Sequence, residues 1–404
     1  MFTKSKWLVA VISLSLAAVA LAAAGPGYHV VTTYKVGGEG GWDYLTADAS
    51  ARRLYISRGT HVIVLDLDSG KTVGDIPDTQ GVHGIALAPE LGKGFTSNGR
   101  EGTVTVFDLS TFAPVGGKIK AGENPDAILY DPSTKRVFTF NGRSQDSTAI
   151  DATSGKVLGT IKLDGKPEFA ASDAKGMIFA NIEDKSELVA IDPNKLEVKS
   201  KWPLAPCTEP SGLSIDRKNR RLFVGCDNKM MAVVDADTGK VLATPAIGEG
   251  VDATAFDPET GLAFASCGQD AVLTVVKEES PNKFAVAENV PTKRGARTLR
   301  PRHQNAQRLR RDCGFRPAAS TNGRQSSPAS AYSARQLCGV DCRKIANHRN
   351  LVSPSCRDFC DWIANLNSLL CPGVHCSQTQ PITMFRPLSI ATIEKKLTLR
   401  TPRS

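Results

Sequence analysis

The chain has 404 residues and a formal net charge of +9, with 50 Lys and Arg residues against 41 Asp and Glu residues. The positive excess lies at one end: residues 300–404 hold 17 basic and 5 acidic residues, which leaves 33 and 36 in residues 1–299. Residues 1–299 therefore carry a formal charge of −3. This balance excludes a strongly basic domain, so we do not expect strong nucleic-acid binding from charge.

The chain begins with the pattern of a secretory leader. Lys4 and Lys6 precede an apolar run that ends in Ala22-Ala23-Ala24, and these are the parts of a signal peptide. An uncleaved anchor is the alternative, since the run approaches the roughly 20 residues that span a bilayer. Gly25-Pro26-Gly27 breaks a helix after the small residues, which favours cleavage. We predict that residues 1–24 are a signal peptide and that the mature protein is periplasmic or secreted, without a membrane attachment.

From Tyr28 onward, one hairpin pattern returns at a regular interval. In its first clear copy, an apolar run ends on Asp66, and a turn closing in Gly70-Lys71 leads into a second extended run. The Asp can bond to amides of the turn, and Gly can take the positive φ that the turn needs. The equivalent positions lie 41 to 43 residues apart, at Asp66, Asp108, Asp151, Asp192, Asp235 and Lys277. A period of roughly 40–45 residues that holds several strands predicts a β-propeller with one blade per repeat.

Each period contains four extended segments, which we interpret as the inner, second, third and outer strands of one antiparallel blade. The second strand carries an aromatic residue, two small or β-branched residues and Asn, as in Phe95-Thr96-Ser97-Asn98, and the third ends in Asp-x-x-x-Gly-Lys. These motifs resemble the YVTN repeat of the YncE-type seven-bladed propellers, over about residues 28–299. The sequence departs from the motif at four places: Arg58, Cys226 and Cys267 replace the Asn, and Lys277 replaces the turn Asp.

The resemblance implies an all-β fold, a propeller of four-stranded antiparallel blades. It also implies an exported protein, since family members are mostly exported and of unassigned role. Some members resemble proteins described as DNA-binding.

The blade count is incomplete. Residues 25–299 contain six turn positions, a closing strand at 29–36 and the start of a seventh inner strand. A one-base shift lets Arg300 to Asn305 read Ala-Leu-Asp-Thr-Lys-Thr, the inner-strand ending that the repeat requires. We therefore predict that residues 300–404 are an out-of-frame, disordered tail, and that a seven-bladed design has lost its last blade and left the ring open. A genuine basic tail that contains seven of the ten cysteines is the alternative.

The mouth of the central channel is the predicted functional site, because the loops that enter the inner strands converge there. The candidate ligand-binding residues are Asp43, His83, Asp126, Glu168, Glu209, Asp252 and Arg297, with Trp42, Asn124 and Arg294 beside them. Five acidic groups, one histidine and arginines around one opening suit a cation, a polyol or a small basic ligand. The alternative is that these are turn residues whose charges are solvated.

We predict a non-enzymatic binding or scaffold protein, a monomer that acts on a small ligand or a protein partner and needs no cofactor. Two alternatives come from other classes. A DNA-binding propeller, as in the resembled family, would need a basic face, for which Arg217, Lys218, Arg220 and Arg221 are candidates. A metal-dependent lactonase-type hydrolase would hold its metal with the acidic mouth.

Three cysteines lie within the repeats. Cys207 precedes the inner strand of blade five and Cys226 ends the strand beside it, so a hairpin would bring the two close together. A Cys207–Cys226 disulfide, a Cys226–Cys267 disulfide and free buried thiols all remain open, since an exported protein meets an oxidising compartment.

Overall fold

The computed structural model describes residues 27–37, 41–280, 282–302, 380–386 and 389–394. The predicted signal peptide at 1–24 and most of the predicted tail lie outside these residues. The described chain is all-β apart from two short 3-10 helices, Pro89–Leu91 and Glu183–Lys185. Within the part of the chain that the structure describes, no helix has the length and hydrophobicity needed to cross a membrane.

Six blades follow one another along the chain, each a four-stranded antiparallel sheet whose strands pair in chain order. The prediction of a β-propeller with four-stranded blades is therefore confirmed. The strands of blades one to three are β2 (Leu45–Asp48), β3 (Arg53–Ser57), β4 (Val62–Asp66), β5 (Thr72–Ile76), β6 (Val82–Ala88), β7 (Lys93–Asn98), β8 (Thr103–Asp108), β9 (Ile119–Lys120), β10 (Pro125–Asp131), β11 (Arg136–Asn141), β12 (Asp146–Asp151) and β13 (Val157–Lys162). Those of blades four to six are β14 (Pro167–Ser172), β15 (Ile178–Ile182), β16 (Glu187–Asp192), β17 (Glu197–Pro203), β18 (Pro210–Asp216), β19 (Arg221–Cys226), β20 (Met230–Asp235), β21 (Val241–Ala243), β22 (Val251–Asp257), β23 (Leu262–Cys267), β24 (Val272–Ser280) and β25 (Lys283–Pro291).

The repeated turn forms as its sequence predicts. The Asp66 carboxylate accepts hydrogen bonds from the amides of Asp68 and Ser69, at 3.2 and 2.8 Å, and Gly70 has a φ of 67°. An L side chain at that φ would be strained, which explains the glycine. The turn aspartates of blades two to five accept equivalent amide hydrogen bonds.

The core lies between the blades, where the second strands contribute aromatic rings. Six such rings are fully buried, namely those of Tyr55, Phe95, Phe138, Phe179, Phe223 and Phe264. Each lies opposite a residue of the inner strand, and in most blades that residue is small. Burying a large apolar side chain contributes roughly 1.5–3 kcal/mol, so one ring per repeat is a major part of blade packing.

A seventh four-stranded sheet lies where the sequence predicted that the last blade is lost. It consists of β26 (Ala296–Arg302), β28 (Ser389–Glu394), β27 (Gln380–Arg386) and β1 (His29–Val36), in that order from the channel outward. The inner strand of every blade contacts that of the next, and β26 contacts β2. The predicted closing strand at 29–36 is therefore present, and the ring is not open.

The middle of this sheet is built from part of the predicted disordered tail, and in reverse order. In the other blades the strand that comes next along the chain pairs with the inner strand, whereas here the later segment, β28, pairs with β26 and the earlier one, β27, pairs with β1. The physical reason is that β1 and β26 each present an unpaired edge. Both segments are rich in the β-branched residues that favour strands.

Candidate ligand-binding site at the channel mouth

An open cavity of about 800 Å³ lies where the inner strands begin. The seven predicted site residues, Asp43, His83, Asp126, Glu168, Glu209, Asp252 and Arg297, all line it, as do Trp42 and Asn124. Of the residues predicted to surround the mouth, Arg294 alone is not part of the lining. That a ligand binds there stays a prediction.

One repeat position supplies the upper rim of the cavity. In blades two to seven it is the residue that follows the first paired residue of the inner strand, and in blade one it is Asp43, two residues before the first paired residue, Leu45. We call its seven members the mouth ring: Asp43, His83, Asp126, Glu168, Ser211, Asp252 and Arg297. Sequence reasoning chose Glu209 for blade five and missed Ser211, although the repeat spacing from Glu168 to Asp252 would have identified it.

Further lining residues come from the loops between the second and third strands, which sequence reasoning did not consider. Arg100, Glu183 and Asp227 each follow the end of a second strand. Because the second strand runs antiparallel to the inner one, its end lies at the mouth. The signal was therefore a charged residue one or two positions after the repeated Asn position.

Hydrogen bonds from serines hold the backbone of the mouth ring in place. The Ser57 hydroxyl accepts hydrogen bonds from the amides of Asp43 and Tyr44, at 3.2 and 2.8 Å. Between blades, serine hydroxyls donate to the carbonyl oxygens of the ring residues in the next blade. These links are Ser97 to Asp126, Ser211 to Asp252 and Ser266 to Arg297. The ring is thus braced around much of its circumference.

A charged network runs through five neighbouring blades, from blade six through blades seven, one and two to blade three. The Arg297 guanidinium donates to carboxylate oxygens of Asp43 and Asp252, both at 3.1 Å. On the other side of Asp43, its second oxygen lies 2.6 Å from His83 Nδ1. Burial alone would lower the pKa of His83, but the hydrogen bond to Asp43 and the charge of Asp126 raise it. The Asp126 carboxylate lies 3.8 Å from the same imidazole nitrogen and accepts a hydrogen bond from the Tyr44 hydroxyl.

The carboxylates of blades three, four and six are held with raised pKa values. Burial, followed by the charge of Asp126, raises the pKa of Glu168 to about 7, against the opposing effect of Lys166. Lys166 Nζ lies 2.6 Å from Glu168 and also pairs with Glu183. Burial likewise raises the pKa of Asp126, and it raises that of Asp252 to about 6 despite Arg297. These three carboxyl groups therefore hold their protons more tightly than free carboxyl groups do, chiefly because burial disfavours their charged forms.

Two aromatic rings close the channel beneath the ring. Tyr44 and Phe169 occupy the next residue along the inner strands of blades one and four, and their rings stack with centroids 4.9 Å apart. Both line the cavity and are nearly buried, at 7% and 5% exposure. On the far side of this pair, the Arg300 guanidinium lies 5.8 Å from the centre of the Phe169 ring. We call this pair of rings the aromatic floor of the mouth.

A disulfide fixes one wall of the site. Cys207 and Cys226, which lie 19 positions apart in the chain, are bonded, while Cys267 is a buried free thiol whose pKa burial raises to about 11. The bond ties the loop before β18 to the end of β19, so Glu209 and Asp227 are held on either side of it. Of the three alternatives left open by the sequence, the structure contains the Cys207–Cys226 pair.

The basic run after β18 is largely neutralised. Arg220 pairs with Asp173 and Asp237, at 3.0 and 2.6 Å, and Arg221 pairs with Asp235 at 2.8 Å. The run follows the end of an inner strand, so it lies at the opposite end of the channel from the mouth.

No family model matches the chain, and no curated protein matches it. Among solved structures, a similar one is the Kuenenia stuttgartiensis hydrazine synthase, with a TM-score of 0.56 and 15% sequence identity. The likeness covers 65% of this chain and 90% of that chain. At this identity it shows a shared fold and carries no statement about activity.

Proposed function

We propose that this chain is an exported, YncE-like propeller that binds a cationic ligand in the channel mouth and does not catalyse a reaction. The observation that carries the proposal is the mouth ring itself. One repeat position contributes four carboxylates from four blades, against a single guanidinium. In all, seven carboxylates and two arginines line the cavity.

The proton affinities in the site support a cationic ligand. Asp126, Glu168 and Asp252 all have raised pKa values, which means that their ionised forms are under-compensated. A bound cation would supply the missing positive charge. Because these groups ionise and His83 loses its proton as pH rises, cation binding should strengthen between about pH 6 and 8.

Export and the YncE relationship rest on the sequence. The leader pattern of residues 1–24 lies outside the described residues, and the repeat motifs carry the resemblance. The Cys207–Cys226 disulfide would persist in an oxidising compartment, which is consistent with export.

Thermal unfolding with a panel of cations tests the binding function. We expect CaCl2, MnCl2 or spermidine, at matched ionic strength and pH 8, to raise the melting temperature in a saturable way. A double variant, Asp126→Asn with Glu168→Gln, should lose the response. The matched control is Glu259→Gln, in the exposed turn after β22, which should keep it. A panel without any saturable effect, or an equal effect on both variants, would reject the proposal.

A metal-dependent hydrolase is the second candidate, and one observation favours it. Asp43, His83 and Asp126 place one potential ligand atom each within 4.8 Å of one another. Such a set of carboxylates and imidazole suits a divalent transition metal. Metal-dependent hydrolysis of a lactone such as dihydrocoumarin, lost in His83→Ala and kept in Glu259→Gln, would support this function; stabilisation by metal without turnover would reject it.

DNA binding is the least supported alternative. The mouth is acidic, and Arg220 and Arg221 are already paired with carboxylates. Phosphate groups would have to displace those partners, and binding of this kind weakens steeply with salt.

A further inference from the structure

We infer that the cation bound at the mouth is an alkylammonium ion, held between Asp126 and Glu168 with its carbon chain on the Tyr44–Phe169 floor. This inference rests on the proposed cation-binding function and specifies the ligand class. It follows from three features of the same cavity: its floor, its unpaired charge and the nitrogen cations that it already contains.

The floor presents apolar aromatic surface to the cavity. The rings of Tyr44 and Phe169 stack on each other, and the small part of each ring that remains exposed to the cavity can attract an organic cation and its adjoining methylene groups. The same layer has small residues in four other blades, at Gly84, Ala127, Gly212 and Ala253. The two rings can therefore meet across the channel.

The carboxylates surround this floor. Asp126, Asp43, Glu168 and Asp252 all act on the Tyr44 hydroxyl, and together with burial, which is the larger cause, they raise its pKa well above the usual value. The ring and the four acids consequently face one space. A ligand that combines a positive nitrogen with an apolar chain matches both surfaces.

The network already binds nitrogen cations on both sides of this space. The Arg297 guanidinium bridges Asp43 and Asp252, and the Lys166 ammonium bridges Glu168 and Glu183. Asp126 lies between these two bridges, where it accepts a hydrogen bond from the Tyr44 hydroxyl and lies 3.8 Å from His83, and no cationic side chain of the described residues bridges it to Glu168 within 4 Å. Glu168 and Asp126 repel one another across the gap. An ammonium group placed there would repeat the two existing bridges.

A bare divalent metal fits this part of the cavity less well. Asp43 already accepts hydrogen bonds from His83 and Arg297, and the adjacent guanidinium would repel a doubly charged ion. Hard metal ions also take nearly all of their ligands from oxygen atoms, which the aromatic floor does not provide.

Calorimetric titration of the full chain with cadaverine, at pH 8 and low salt, tests the inference. Cadaverine should bind, whereas 1,5-pentanediol, which has the same chain without charge, should not. We expect Glu168→Gln and Asp126→Asn each to weaken cadaverine binding by about tenfold, as for loss of a charge-assisted hydrogen bond. The Glu259→Gln variant is the control and should bind like the parent chain.

The floor is tested separately. Tyr44→Leu should weaken cadaverine binding by about fivefold or more, and Tyr44→Phe should recover most of the loss, because the ring face is retained. Since Tyr44 is buried, circular dichroism must show that each variant is folded. If Tyr44→Leu does not fold, binding of two ligands to the parent chain tests the floor instead. Butylammonium should bind more tightly than NH4⁺, which has the charge but no carbon chain.

The alkylammonium group can belong to a free amine or to a lysine side chain of a protein. A parallel titration with a trilysine peptide distinguishes these two sources. Tighter binding of cadaverine assigns a free amine, and tighter binding of the peptide assigns a lysine side chain; both outcomes support the inference. Saturable binding of Ca²⁺ or Mn²⁺ that Asp126→Asn abolishes, without cadaverine binding, would overturn the inference and leave the cation-binding function standing. If neither amine nor metal binds, both proposals fail.

Discussion

At the scale of residues, fold and candidate site use different positions of the same repeat. The turn aspartates, exemplified by Asp66, and the buried rings of the second strands recur with little change, because each blade needs the same turn and the same core. The mouth ring varies from Asp to His, Ser and Arg, because its side chains are not needed for the blade. Variation at one repeat position is what gives this propeller a chemically distinct mouth.

Glu168 should make stability depend on pH. Its pKa is raised to about 7 in the folded protein from an ordinary value near 4.5, so the folded state holds the proton more tightly than the unfolded state. Its contribution to stability is therefore present below about pH 4.5 and is lost as pH rises through about 7. The facing groups are Asp126, Lys166 and Glu183.

We expect Glu168→Gln to remove this loss of stability at higher pH. Between pH 5 and pH 8, the free energy of unfolding of the variant should rise relative to the parent chain by up to about 3 kcal/mol. Urea unfolding followed by circular dichroism at both pH values measures the difference, with Glu259→Gln as the control. Parallel pH profiles for all three proteins would contradict the assignment.

At the scale of elements, the inner strand β26 carries a residue that the repeat does not use. Arg300 stands three residues after Arg297, and the equivalent residues in the other blades are Thr46, Ala86, Leu129, Ala171, Ser214 and Ala255. Its guanidinium lies within the channel, and burial lowers its pKa. Its partners are the Leu299 carbonyl, at 3.1 Å, and the face of Phe169. Among the residues that the structure describes, no carboxylate forms an ion pair with Arg300, and a cation withdrawn from water without such a partner costs stability.

Arg300→Ala should therefore stabilise the protein. We expect the free energy of unfolding to rise by about 1 kcal/mol, because desolvation of the guanidinium is avoided. Alanine also fits this position, since it stands there in three of the other six blades. Chemical denaturation measures the change. Arg143→Ala, at an exposed arginine, should shift stability by no more than about 0.5 kcal/mol. A destabilised Arg300→Ala protein would show that the cation–ring contact outweighs the desolvation.

At the scale of the whole molecule, ring closure depends on the seventh sheet. The position five residues after the mouth ring is Asp in five blades, at Asp48, Asp131, Asp173, Asp216 and Asp257, and it bonds to the turn that follows. In β26 this position is Arg302. The shifted reading frame would place Ala at position 300, as in three of the other six blades, and Asp at position 302, as in five of them. The repeat thus supports the hypothesis of an out-of-frame end.

Restoring the frame after codon 299 should produce a more stable ring. We expect the restored protein to unfold at a higher temperature, since blade seven would then form from consecutive segments in the usual order. Resequencing the gene across codons 297 to 342 shows which frame is native. Thermal unfolding of both proteins, with hydrogen exchange of the β1 amides, tests the consequence. Equal or lower stability of the restored protein, with β1 equally protected in both, would favour the frame as written.

The sequence by itself determined the blades, because strand pairing and turn chemistry are local and repeat every 41 to 43 residues. It also placed seven residues at the mouth, because one strand end of each repeat must face the channel. Only the tertiary structure decided how the ring closes, since the pairing of β1 and β26 with a distant hairpin depends on contacts across most of the chain. The same holds for the Tyr44–Phe169 floor and the Cys207–Cys226 bond: several pairings were compatible with the sequence, and the distances set by the packed blades selected one.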